Sequence, residues 1–234
     1  MKKKIITPIV IIILLILLCF VGYKGYKTFE KYKQEQLLIT EINEISKLDP
    51  TKSDYNTELK TTGDYAIVEK TIKTYLTDFA VSLQDLINSM QDEKLSNILS
   101  IENYKSDGPE FTATKQFLED SQKSFSEKFE NIKKMCSEDY IMEAINKTNV
   151  NEYYINLYKT LMLGENKNDG VLDSAKSDID ETNNLITSLL TSSTNVINFL
   201  VENKNNWEIS GNQILFLTQE SLDTYNNLLS KLPQ

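Results

Sequence analysis

The stretch ENKNDGVLDSAK, Glu165 to Lys176, comes closer to a metal-ligand set than any other in the chain. If Gly170 takes the sixth place of a calcium loop, Glu165 stands first, Lys167 third, Asp169 fifth and Lys176 twelfth. Calcium requires an oxygen ligand at the third place and a bidentate carboxylate at the twelfth, and lysine supplies neither. The same residues make a sound interhelical turn around Asp169-Gly170.

The rest of the chemistry is bounded by residue types the chain lacks. It has no His, which removes Ser-His and Cys-His nucleophile pairs and any imidazole-held metal. Cys136 is the only cysteine apart from Cys19, so a thiolate zinc site cannot form. The seven glycines stand singly and form no G-x-G-x-x-G; Gly164 and Gly170 lie one residue too far apart for a P-loop. No Ser has a Lys three residues on.

Carboxylates remain. Thirty-four Asp and Glu admit a glycosidase-like acid pair or carboxylate-only binding of magnesium or calcium. The runs SDIDE (Ser177–Glu181) and LEDSQ (Leu118–Gln122) read as solvated faces or helix-start charges, a use that acids near helix N-termini already have. In NEYYINLY, some of Tyr153, Tyr154 and Tyr158 are expected to bury with their hydroxyls bonded at the edge, whereas an exposed cluster would mark a partner surface. The sole tryptophan, Trp207, reads as a core anchor. Asn146-Lys147-Thr148 matches a glycosylation acceptor but sits in a bacterial-looking composition. No residue is therefore assigned as catalytic, cofactor-binding or metal-ligating. No cofactor is expected, and the chain reads as a non-enzyme.

The elements that carry these residues are helical for most of the chain. Asp64–Met90 gives the strongest signal, with Tyr65, Val68, Ile72, Tyr75, Phe79, Leu83, Leu86 and Met90 on one face and Asp64 as cap. Further helices are predicted over 92–101, 111–136, 137–147, 151–163 (closed by Gly164) and 171–203. KSDGPEF is predicted as a break at Gly108-Pro109. Alternation of Trp207 and Ile209 with Ile214 and Phe216, around Gly211-Asn212, predicts a β-hairpin over 206–217. Residues 219–232 form a last helix capped by Thr218.

The N-terminus differs in kind. Residues 1–4 are a short basic tail, and from Ile5 to Val21 only Thr7 and Pro8 interrupt apolar character. Residues 5–23 would make a helix of about 28 Å, close to the thickness of a bilayer core. No small-residue cleavage pattern follows, and Leu18 before Cys19 does not suit lipoprotein processing. This run therefore reads as an uncleaved signal-anchor. Residues 24–48, with Phe29, Tyr32, Leu38, Ile42 and Ile45 in a stripe, read as a helical stalk, and residues 49–63 as a linker.

Beyond Tyr23 the chain carries 22 Lys against 34 acidic residues, a net charge of −12. That charge argues against nucleic acid as a partner. Every basic residue is Lys, which fits an AT-rich bacterial genome. The expected fold is all-α: a transmembrane helix and stalk, then an elongated acidic bundle over 64–234 with a small C-terminal hairpin. The expected role is an interaction or assembly module of a single-pass membrane protein at the cell envelope. Its partners would be the bilayer through residues 5–23, a protein, and a second copy through anchor and stalk. Lys24, Lys27, Lys31 and Lys33 nearly balance Lys2, Lys3 and Lys4, so the basic-flank rule leaves sidedness close to a tie. The layout of a signal-anchor places the large domain outside. The alternatives are a ligand-sensing ectodomain and a carboxylate-based cell-wall glycan enzyme.

Overall fold

The computed structural model describes residues 23–48, 56–164 and 171–233. Most of the described residues are helical, and a two-stranded antiparallel sheet lies near the C-terminus. The helical class and the small hairpin thus hold. The apolar run expected to span the membrane lies outside the described residues, apart from Tyr23 at its end. Among the described residues, no helix is long and apolar enough to cross a membrane.

In chain order the helices are α1 (Tyr23–Ile45), α2 (Gly63–Met90), α3 (Glu93–Asn97), α4 (Ile101–Asp107), α5 (Thr112–Met135), α6 (Glu138–Asn146), α7 (Glu152–Leu163) and α8 (Val171–Glu202). Strands β1 (Trp207–Ser210) and β2 (Gln213–Phe216) and helix α9 (Gln219–Leu229) complete the chain. These elements fall into two compact units. The first holds α1, α2 as far as Thr77, α6 from Ile141, and α7; the second holds the rest.

In the first unit, α1 buries Leu38, Ile42 and Ile45, while Tyr32 of the predicted stripe stays exposed. Among the described side chains, the stripe works as a packing face in the C-terminal half of α1. Tyr65, Val68, Ile72 and Tyr75 of α2 are buried as their spacing predicts, with Ile141, Ile145, Tyr154 and Tyr158 from α6 and α7. Each such side chain contributes about 1.5–3 kcal/mol on leaving water. Asn151 starts α7 by accepting from the Tyr153 N–H at 3.0 Å. Residues 56–60 ahead of α2 have no regular structure and are exposed, but Thr61 is buried.

In the second unit, α5 lies along α8. Leu118, Phe125, Phe129 and Ile132 of α5 share a core with Leu190, Val196, Ile197 and Leu200 of α8. The helix predicted over 92–101 is instead two. Asp92 caps α3, accepting from Lys94 N, and Ser100 caps α4, accepting from Asn103 N. A second cap so close to the first lets helix continue through Asp107, into the predicted break. Phe111, buried at φ 51, has no capping side chain of its own. Asp107 does that work from outside, accepting from Ala113 N at 3.2 Å and Thr114 N at 2.7 Å.

The hairpin pairs Trp207 with Phe216 and Ile209 with Ile214. Its two-residue loop has Gly211 first, at φ 61, the glycine-first pattern of a II′ turn. Trp207, Ile209, Ile214 and Phe216 pack on the unit's core, which gives this short ribbon the apolar cover it needs. Trp207 donates its indole N–H to Leu200 O at 2.7 Å. Its ring edge sits over Gly108, where an added Cβ would lie 3.1 Å from Trp207 and 2.5 Å from Tyr104 O.

Candidate functional site

Buried polar chemistry in the first unit converges on Lys73. The apolar positions of α2 turn one face to the interior, and Lys73, beside that face, has a side chain only 2% exposed. Its Nζ donates to Glu41 Oε1 of α1 at 2.7 Å and to the Glu58 carbonyl at 2.6 Å, and lies 2.8 Å from Glu69 Oε1. An ammonium has three N–H donors, and here all three are used. Glu69, one turn earlier on α2, is 0% exposed. Its Oε2 accepts from Thr61 N at 2.9 Å and Thr61 Oγ1 at 2.7 Å, and Lys60 N lies 3.0 Å from both carboxylate oxygens. Glu41, at 14% exposed, is more open to water than Lys73 or Glu69.

Burial on its own would push the Glu69 carboxyl up and the Lys73 ammonium down. For Glu69, the bonds from Lys73, Lys60 and Thr61 outweigh burial and hold the carboxyl below its ordinary value. For Lys73, burial is outweighed by Glu41 and Glu69, and the ammonium is held above its ordinary value. Both groups are charged at neutral pH. An activated lysine nucleophile needs its ammonium pushed down, and a general acid needs its carboxyl pushed up. This cluster moves both the other way. Its chemistry is to hold the segment ahead of α2 and two helices together.

Beside it, Tyr65, Tyr153 and Tyr154 gather around Glu35. Tyr153 donates to Glu35, and the Tyr65 and Tyr153 hydroxyls lie 3.2 Å apart. Tyr154 meets Tyr65 and Tyr153 edge-on, with centroids 4.9 and 5.1 Å away. Rings this close fill the space a cation would need between their faces. Of the tyrosines in NEYYINLY, Tyr154 and Tyr158 are buried and Tyr153 is 48% exposed with its hydroxyl bonded. Tyr158 donates to Ile141 O at 2.9 Å, and burial pushes its hydroxyl up to about 12.

In the second unit, the Tyr104 and Tyr225 hydroxyls meet at 3.1 Å inside the core. Open depressions mark the surface of this unit. One of 310 Å³ is bordered by Glu93, Lys94, Asn103, Thr114 and Phe117. The other, of 380 Å³, is bordered by Lys105, Pro109, Lys204, Trp207 and Ile209. In the first, Asn103 and Thr114 are bonded to each other, and in the second Lys204 is paired with Glu110 at 2.7 Å. Cys136 is buried, and burial raises its thiol.

The acidic runs are dispersed. Asp180 of SDIDE pairs with Lys133 at 2.6 Å, and Asp120 of LEDSQ accepts from Gln116 one turn away. Among the described residues, no group of three or more acids and cysteines could hold a metal ion. The calcium-loop residues 165–170 lie outside the described residues. Sequence reasoning missed Glu41, Glu69, Lys73 and Thr61. Helical spacing gave no signal for the cluster: at about 100° per residue, Glu69 falls some 40° from Tyr65 on the side away from Val68, Ile72 and Tyr75. No family model, curated protein or solved structure matches the chain.

Proposed function

We propose that the protein is a single-pass membrane protein of the cell envelope whose acidic helical part is an interaction or assembly module. The observation that carries this reading is the 19-residue run from Ile5 to Tyr23, free of charge and flanked by lysines on both sides. In this reading residues 5–23 span the bilayer and α1 leaves it as a stalk. The acidic remainder, at −12, stands off anionic lipid except at Lys24–Lys33. The folded part favours a module over a catalyst, because its buried polar groups are paired off rather than poised. Among the described residues, no buried side-chain nitrogen or oxygen lacks a hydrogen-bond partner. Glu41 and Glu69 meet on one atom but share Lys73 there, whereas a glycosidase pair needs one carboxyl kept protonated beside open space.

Two measurements test the reading. The full chain should stay with membranes through carbonate extraction, while a variant lacking residues 1–23 should be released. Added protease on intact cells should then degrade the acidic part. Release of the full chain into the soluble fraction would overturn the anchor, and complete protection on intact cells would overturn the outward orientation.

A further inference from the structure

Lys73 joins three separate chain segments at one atom. Its Nζ touches Glu41 on α1, the Glu58 carbonyl in the strap of residues 56–61 before α2, and Glu69 on α2. Residues 56–60 are exposed, and among the described residues the bonds from them and Thr61 to the rest of the unit run to Glu69 and Lys73. Thr62 N adds one bond to Gln34 Oε1 of α1 at 2.8 Å. Glu41 does not bond the strap. It reaches the strap only through Lys73, which it helps to hold in place against Glu69 and the Glu58 carbonyl.

We infer that Lys73 is a relay that couples the position of α1 to the fastening of residues 58–61. Displacing Glu41 takes one of three acceptors from a buried ammonium, and the ammonium must move towards another oxygen or water. Glu69 then loses its fixed counter-charge, and the strap amides lose the carboxylate that fastens them. The charged groups around Lys73 are Glu69 on its own helix, Glu41 on α1, and Glu58 and Lys60 on the strap, the last two also paired with each other at 2.8 Å. In the membrane reading, α1 is the segment that follows the anchor, so a shift or pairing of the anchor would reach the strap by this route. The input rests on that reading; the coupling between Glu41 and the strap does not.

The test is amide hydrogen exchange at Lys60 and Thr61 in the full chain in mild detergent. E41Q, on a residue that touches neither amide, should speed their exchange roughly tenfold, the worth of one hydrogen bond to a charged group. K73M should speed it roughly a hundredfold. E41D keeps the charge at shorter reach and should fall between wild type and E41Q; it carries the test alone if E41Q does not fold. Asn43→Ala, on the exposed face of α1, should match wild type. Unchanged exchange in E41Q and E41D overturns the relay, as does equal loosening by Asn43→Ala. Loss of membrane retention would leave this result standing, so the two failures are distinguishable.

Discussion

Replacing Lys73 with methionine keeps the side-chain length and deletes three N–H donors at once. Glu41 can turn to water, since it is partly exposed, and contributes little to the cost. Glu69 cannot, because its side chain has no exposed surface. It keeps Lys60 N, Thr61 N and Thr61 Oγ1 but loses its only ammonium partner. The Glu58 carbonyl loses the lysine donor as well. Removing one partner of a buried ion pair costs about 3–5 kcal/mol, and the three donors left on Glu69 set the expectation at the lower end, about 3 kcal/mol. With a urea slope of about 2 kcal/mol per molar, the midpoint should fall by about 1.5 M. Circular dichroism across a urea series reads the loss, and the sole tryptophan, Trp207, reports separately on the second unit. The double variant Glu69→Leu with Lys73→Met should lose less than the sum of the two single changes, because it leaves no orphaned buried charge at these two positions. A Lys73→Met midpoint within about 0.3 M of wild type would refute the reasoning, since a cost that small belongs to surface pairs.

Other consequences can be checked in the same protein. Glu69 has its folded-state carboxyl held below the ordinary value of 4.5, so its contribution is complete above that value and is lost as pH falls through the lower, folded one. Protection of the Lys60 and Thr61 amides, corrected for intrinsic rates, should be flat from neutral pH to about 5 and then collapse in more acid solution. Tyr225→Phe strands the buried Tyr104 hydroxyl and should cost about 1–2 kcal/mol in urea unfolding, and adding Tyr104→Phe should recover part of it. Asp107→Ala removes the acceptor for Ala113 N and Thr114 N and should cost about 1 kcal/mol, read from the Trp207 transition. Gly211→Val places a β-branched residue at φ 61 and should destabilise the hairpin, visible as loss of Ile209–Ile214 cross-strand contacts by nuclear magnetic resonance.

The sequence was most readable where a single pattern ruled. The face of α5, from Leu118 through Phe125, Phe129 and Ile132, is buried as its spacing indicates, because nothing on that face competes with burial. The hairpin follows from alternation around Gly211-Asn212, and Thr218 caps α9 as predicted. Patterns failed where capping overrode composition. Ser100 restarts a helix through residues that read as a break, and the distant Asp107, not the neighbouring Phe111, satisfies the first turn of α5. The Lys73 cluster was hidden for a different reason. Glu69 and Lys73 at i and i+4 have the spacing of an ordinary exposed ion pair, and only Glu41 and Thr61, brought in by tertiary structure, make the site buried. Fold class was thus local information, whereas the site was not.

The seat of Trp207 also sets an order in time. Tyr104 meets Tyr225 across 121 residues, and Gly108 leaves room for the Trp207 ring of the hairpin. A ribosome working at about 5–20 residues per second exposes α5 for several seconds before α8 and the hairpin exist. Over that interval Phe125, Phe129 and Ile132 lack the α8 side chains of their eventual core. The first unit also waits, since α2 precedes α6 and α7, but it has its last described helix by Leu163. For a nascent chain, the second unit is therefore the later of the two to close. Truncation anywhere before the hairpin leaves it without a closed core.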